Sequence, residues 1–392
     1  MKKKARVIAL YLPQFHPMEL NNEWWGKGYT EWNNVAKARP LYKDHYQPRI
    51  PADLGFYDLR LPETRVEQAE LAKEAGIEGF CYWHYWLGKG KTLLDRPFNE
   101  VLKSGSPDFP FCLGWANHSW RNDQWTKSHA FQKKTNVYEQ TYIEEEYIDH
   151  FYDVLPAFKD PRYITVDGKP IFLVYAPLHI PDPHIFIKKW QLLAKENGLP
   201  GIYFVGIVSN LQTVKQEFGG KAKFYYAKTD EPAGPRYQQI LDVGFDAVNS
   251  RGQYRAELME SGYLKKYFYT AMRRLFNIHF LQVYDYKNII KNLFVDEDRL
   301  ENVFPTIIPN WDRSPRSGKE SVIYHNSTPA LFKQHIHNAL ELIKDKKPEH
   351  RILFLMSWNE WGEGNYVEPD ERYGHGYLKA IKEELEVRTL GS

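Results

Sequence analysis

The stretch Arg351-Ile-Leu-Phe-Leu-Met-Ser-Trp358-Asn359-Glu360-Trp361-Gly-Glu363-Gly-Asn-Tyr366-Val-Glu368 decides how the rest of the chain is read. Residues 352–357 are mostly apolar and show no polar alternation, the pattern of a strand buried on both faces. The strand runs directly into a loop that holds Glu360 and Glu363 among Trp358, Trp361 and Tyr366. A strand of this kind belongs to a parallel sheet covered by helices, and in closed sheets the chemistry sits at the carboxyl ends of the strands. Two carboxylates at such an end can divide proton donation and acceptance. Aromatic faces beside them suit the apolar C–H face of a sugar ring. An isolated Glu-x-x-Glu is more simply a solvated acidic turn, but its place after a buried strand argues against that here.

Outward from this stretch the same pattern repeats. Strands are expected at 6–12, 77–83, 111–116, 171–176, 202–208, 247–249, 304–309 and 352–357, and helices at 63–75, 93–103, 144–158, 184–197, 211–218, 329–344 and 377–385. Strand–helix alternation with this spacing predicts an α/β fold, a single (β/α)8 TIM barrel with long βα-loops spanning 1–392. The loop at 17–60 is rich in Trp, Tyr and Pro and is expected to cover the pocket; 251–303 is an insertion. The strand ends carry polar and aromatic residues together: Tyr11, Gln14 and His16 after the first, Trp83 and His84 at the second, Trp115, Asn117, His118 and Trp120 at the third, Trp311 and Asp312 after the seventh, Asn359 and Glu360 after the eighth. In a barrel these ends meet on one face. They are read as substrate-binding residues, together with Trp25, Trp32, Trp361, Tyr366 and Glu368. Glu360 and Glu363 are the catalytic candidates.

Composition narrows the classes. Lys+Arg and Asp+Glu nearly cancel to a net charge of +2, which leaves no bulk signature for nucleic acid. Aromatics reach 16 %, more than a core needs, and they cluster with Asn, His and Glu as in a ligand cleft. Cys81 and Cys112 read as buried free thiols. No His-x-His or His-Glu-x-x-His spacing marks a metal site, and no cofactor is expected. Leu87-Gly-Lys-Gly90-Lys91-Thr92 lacks the first glycine of a P-loop, since that position is Tyr85. There is no dinucleotide fingerprint, and Ser357 lacks the glycines of a nucleophile elbow. No Asp-x-Asp sugar-nucleotide motif stands between apolar strands. The basic start is followed by too short an apolar run, 7–12, for a signal peptide, and no stretch is long enough to span a membrane; a cytoplasmic location is expected. The basic, aromatic run at 264–293 is a candidate for peripheral membrane contact or for a lipid-linked glycan, against the commoner reading of a helix packed on its own domain.

Five motifs carry a resemblance: Tyr11-Leu-Pro-Gln-Phe-His16, Glu23-Trp-Trp-Gly-Lys-Gly-Tyr-Thr-Glu-Trp32, His45-Tyr-Gln-Pro-Arg49, Asp53-Leu-Gly-Phe-Tyr-Asp-Leu-Arg60 and Trp358-Asn-Glu-Trp-Gly-Glu-Gly-Asn-Tyr-Val-Glu-Pro369. They resemble the WbsX-like family over nearly the whole chain. That family is found with bacterial surface-polysaccharide genes, carries the label glycosyltransferase, and is more distantly similar to glycoside hydrolase family 99, the endo-α-mannosidases and endo-α-mannanases. The resemblance implies a glycan substrate, a (β/α)8 barrel, no metal and a retaining hydrolase. It places on Glu360 the base that draws the 2-hydroxyl into attack on C1, giving a 1,2-anhydro sugar. It places on Glu363 the acid that protonates the leaving oxygen and then activates water. One departure stands out: the family pattern Trp-Ala-Asn-Glu-x-Trp is here Trp115-Ala-Asn117-His118-Ser-Trp120, imidazole in place of carboxylate. A glycosyltransferase in lipopolysaccharide, O-antigen or capsule biosynthesis is the second reading.

Overall fold

The computed structural model describes residues 3–121, 136–209, 216–218, 221–223, 234–276 and 278–386. Eight strands close into a parallel barrel: β1 (Arg6–Tyr11), β2 (Gly79–Trp86), β3 (Phe111–Trp115), β4 (Lys169–Val174), β5 (Tyr203–Ser209), β6 (Ala247–Arg251), β7 (Val303–Ile307) and β8 (Ile352–Leu355). Each pairs with its neighbours in chain order, and β8 returns to β1. Ala9 is opposite Leu355 on one side and Phe80 on the other. Closure leaves no strand edge open. Every residue of β2, β3 and β8 is buried, so these strands read as unbroken apolar or aromatic runs.

Helices Pro62–Glu74, Arg96–Ser104, Glu144–Phe158, Pro183–Glu196, Gly234–Asp242, Pro329–Ile343 and Gly376–Leu385 accompany the strands. Their ends follow local chemistry. Pro62 opens its helix where the missing N–H costs nothing, and Glu63 and Lys73 oppose the dipole at the two ends. Thr328 caps Pro329–Ile343 by accepting from Leu331 N. The helix expected at 211–218 is corrected in part: 211–215 lie outside the described residues, while Gln216–Phe218 pair antiparallel with Lys221–Lys223. The intervening Gly219-Gly220 is a two-residue hairpin signal that outweighs the helical pattern. One continuous cluster of buried apolar side chains runs from Ala5 to Leu385 through all eight strands.

Two excursions shape the carboxyl end of the barrel. Residues 17–60 hold the short helices Glu19–Trp25 and Trp32–Lys37 and dock on the loop after β8, where Ala52 N donates to Pro369 O (2.9 Å) and Arg49 Nη1 to Gly364 O (3.0 Å). The other excursion follows β6. It comprises helices Gln253–Ser261, Tyr263–Phe276 and Tyr286–Lys291, with a short strand Gln282–Asp285 pairing Val322–His325 after β7. Asp296-Glu297-Asp298, a literal Asp-x-Asp, lies just before β7. Its buried Asp298 accepts from Tyr237 Oη and Val295 N, a structural use away from the cavity.

Candidate active site

Side chains alternate along a strand, so one set fills the barrel and the other meets the helices. At the carboxyl end the inward set bounds a cavity of about 810 Å³. Leu10 comes from β1, Trp83 and Tyr85 from β2, and Arg251 from β6. His118 follows β3, Tyr175 follows β4, and Trp311, Arg313 and Arg316 follow β7. Met356, Glu360 and Glu363 follow β8, and Lys266, Tyr269, Arg273 and Phe280 from the excursion after β6 close one wall.

Glu360 and Glu363 converge as expected, on a residue that the sequence reading missed. Arg316 Nη2 lies 2.9 Å from Glu360 Oε2 and its Nη1 2.8 Å from Glu363 Oε1. Its Nε lies 2.9 Å from Oε1 of a third acid, Glu31, which reaches in from 17–60 and is fully buried. Arg313 Nε adds a contact of 3.2 Å to Glu363. Arg313 and Arg316 contact the three carboxylates and Arg251 adds a third positive charge nearby, so burial more than any surplus of negative charge favours holding a proton. Burial, with Glu363 and Glu31 nearby, pushes the Glu360 carboxyl up to about 7 against the pull of Arg316. Burial pushes Glu363 up as well, but Arg313 and Arg316 outweigh it and hold Glu363 below its usual value. Burial also raises Glu31 against Arg316 and Asn34. At rest the proton of the pair belongs on Glu360, and Glu363 is ionised.

Two glycines make this crowding possible. A Cβ on Gly362 would collide with Glu31 Oε1 and stand 2.9 Å from Arg316 Nε. Gly364 has φ +52°, and a Cβ there would meet Asp312 Cβ at 2.7 Å. The spacing Glu-Trp-Gly-Glu-Gly is thereby explained by the approach of the loops after β1 and β7.

Of the expected substrate-binding residues, Trp83, His118 and Trp311 line the cavity with the two glutamates. The others are placed elsewhere. Tyr11, His84 and Trp115 fall on the outward set of their strands. Tyr11 Oη donates to Gln68, His84 Nε2 lies 3.0 Å from His150 Nε2, and Trp115 Nε1 donates to Trp86 O. Gln14 and His16 are buried in the loop after β1, and Trp25 packs on Tyr29. Asn117 clamps Ala176 through both its N and O, and Trp120 is buried against Tyr85. Asn359 clamps Leu12 in the same way.

Trp361 and Tyr366 stack on each other at 3.7 Å instead of facing the cavity, and Trp32 packs on Trp361. Glu368 accepts from Tyr57 Oη, Gln68 Nε2 and Trp361 Nε1 at 2.6–2.9 Å. Asp312, lowered to about 2, is held against burial by His45, Arg49 and Ser314, and also accepts from Gln47. These residues hold the site's loops in register and do not line the cavity. Residues 17–60 likewise buttress it from behind: among the described residues none of them lines the cavity. Besides Arg316 and Glu31, the sequence reading missed Tyr85, Tyr175, Arg251 and Arg313.

Arg251 lies between the rings of Trp83 (5.9 Å) and Tyr175 (5.8 Å), with Nε and Nη2 buried and making no hydrogen bond among the described residues. Among the described residues no group of three His, Cys, Asp or Glu side chains is placed to hold a metal ion.

Comparison with known proteins follows the same lines. The family described as glycosyltransferase WbsX matches residues 7–381. Two curated relatives, the uncharacterised protein WxcX from Xanthomonas campestris pv. campestris strains B100 and ATCC 33913, are each 33 % identical over 383 residues, covering 97 % of this chain and 50 % of theirs. The chain therefore spans about half the length of the curated relatives it matches. Among solved structures, a glycoside hydrolase-like protein aligns at TM-score 0.58 and 16 % identity over 99 % of this chain and 95 % of that one. A family 99 endo-α-mannosidase from Bacteroides thetaiotaomicron, in complex with bis-tris-propane, aligns at 0.54 and 12 % over 98 % and 96 %. At these identities the likeness shows a common barrel.

Proposed function

The chain belongs to the WbsX glycosyltransferase family, and from that premise we propose that it is a retaining glycoside hydrolase acting on an α-linked glycan of bacterial surface-polysaccharide metabolism. The observation that carries the reading is the carboxylate pair Glu360–Glu363, gathered on one guanidinium in a cavity also lined by Trp83, Trp311 and Tyr175. The rings offer faces for sugar C–H groups, and the pair offers one proton and one vacancy near neutral pH.

In the proposed reaction Glu360 takes the proton of the 2-hydroxyl as O2 bonds to C1. The bond from C1 to the leaving oxygen breaks, and Glu363 protonates that oxygen. Water then attacks C1 with Glu363 taking its proton, O2 leaves C1 and recovers a proton from Glu360, and two inversions give retention. This order needs the proton on Glu363 when bond breaking starts, whereas at rest Glu360 carries it. Glycan binding that draws the half-exposed Arg313 off Glu363 removes a charge that keeps Glu363 ionised.

The test is incubation with bacterial surface glycans and α-glycosides without any sugar nucleotide. Release of reducing ends, lost in Glu360→Gln and Glu363→Gln, supports the reading. The family's description favours a second one, glycosyl transfer; product formed only when a sugar nucleotide is added would establish that instead. An aryl glycoside with an activated leaving group separates the roles. It rescues Glu363→Gln if Glu363 is the acid; rescue of Glu360→Gln alone reverses the assignment.

A further inference from the structure

The helix Tyr263–Phe276 is amphipathic with its faces reversed. Leu264 is 87 % exposed, Tyr267 65 %, Phe268 54 % and Leu275 73 %. With Ala271 these positions form one stripe at helical spacing. The stripe points away from the protein, while Lys266, Tyr269, Thr270 and Arg273 on the other face line the cavity. Phe276 (65 %) and Ile278 (41 %) extend the apolar surface beyond the helix. A helix that only stabilised its own domain would turn its apolar stripe inward.

Charge identifies the occupant. From Gly262 to Tyr284 the chain carries Lys265, Lys266, Arg273 and Arg274 and no Asp or Glu. Lys266 is paired inward with Glu257 (2.9 Å) and Arg273 faces the cavity, while Lys265 and Arg274 occupy the helical positions on either side of the stripe. A stripe of Leu, Tyr and Phe flanked by these two cations complements an anionic lipid surface, where aromatic rings settle at headgroup depth and cations meet phosphate. Among the described residues no helix is long and apolar enough to cross a membrane, so the geometry is that of a helix lying on one leaflet.

We infer that Tyr263–Phe276 docks this protein on an anionic membrane, with Leu264, Tyr267, Phe268 and Leu275 inserted. Because its inner face is a cavity wall, docking brings the cavity within about one helix diameter, roughly 10 Å, of the surface on which glycans carried on lipid are presented. The inference holds for a hydrolase or a transferase alike.

Vesicle flotation tests it, using phosphatidylcholine with and without phosphatidylglycerol at low and high salt. The protein floats with the anionic vesicles, more weakly in high salt and not with phosphatidylcholine alone. Leu264→Glu/Leu275→Glu lowers the bound fraction more than about tenfold, since each change removes a buried leucine side chain from the lipid contact. Both leucines are too exposed for these changes to unfold the helix, and an unchanged melting temperature checks this. Leu192→Glu, on an exposed barrel-helix position (58 %), floats like the wild type. No flotation with anionic vesicles, equal flotation of the double variant, or equal loss in the Leu192 variant overturns the inference. So does self-association of the wild type that the double variant abolishes, which would give the stripe to a second copy of the chain.

Discussion

Arg316 serves three acids at once, and burial of that cluster, set against Arg313 and Arg316, decides which of the pair keeps a proton. Replacing Glu360 or Glu363 by glutamine keeps the shape and removes the proton chemistry. Turnover by each variant should fall about a hundredfold to ten-thousandfold while glycan binding survives, measured by steady-state kinetics beside calorimetry. The pH profile of kcat/KM should be a bell. The alkaline limb falls near pH 7, where the pair loses the proton held by Glu360, and the acid limb lies below the usual glutamate range, where Glu363 gains one. Arg313→Met removes a charge that lowers Glu363, so the acid limb should move to higher pH and narrow the bell. An unmoved limb would show that Arg313 does not set this protonation. Glu360 and Glu363 were legible because both stand at the end of one buried run. Arg316 was not: it is 285 residues from Glu31, and no local pattern pairs them. The aromatic reading failed where period-two alternation decides, sending Trp83 to the cavity and its neighbour His84 to the helices. It failed again at Trp361 and Tyr366, because an indole that stacks on a phenol looks the same in sequence as one awaiting a sugar.

Among the elements, the loops after β1, β7 and β8 interlock through Glu31, Arg316 and Gly362. Gly362→Ala forces a methyl against Glu31 and Arg316. A loss of about 1–3 kcal/mol, the usual cost of overpacking, should appear as a lower midpoint in chemical unfolding. Glu31→Gln acts through charge. Glu31 raises Glu360, so its removal should shift the alkaline limb of the activity profile to lower pH without a new contact to the glycan. A purely structural role would lower stability and leave that limb in place. The barrel strands were readable because burial on both faces enforces apolar runs. Six of the helices between them were readable from their patterns, whereas Gly234–Asp242 was not expected and the helix expected at 211–218 was misplaced. The helices after β6 were not, because they pack on barrel loops and turn an apolar stripe outward, so that hydrophobic periodicity gave no indication of which face is inside.

For the molecule as a whole, Glu368 ties the first loop, the first barrel helix and the last loop together through Tyr57, Gln68 and Trp361. Burial raises its carboxyl from 4.5 to about 7 against those donors. Its stabilising contribution is therefore fully present below pH 4.5 and is lost as pH rises through about 7, a swing of at most roughly 3 kcal/mol. Glu368→Gln, which cannot ionise but loses an acceptor, should melt below the wild type at pH 5. The gap should narrow at pH 8 in differential scanning calorimetry; a constant gap would show that Glu368 does not titrate in this range. Closure of the barrel by β8 on β1 has a further consequence, in time. During synthesis β1 emerges long before its second partner. Glu31 must wait while the chain grows by the 285 positions that separate it from Arg316, roughly 15 to 60 s of elongation. Until β8 and its loop leave the ribosome the nascent barrel keeps an open seam and has no acid pair, so the same late segment both seals the barrel and arms the site.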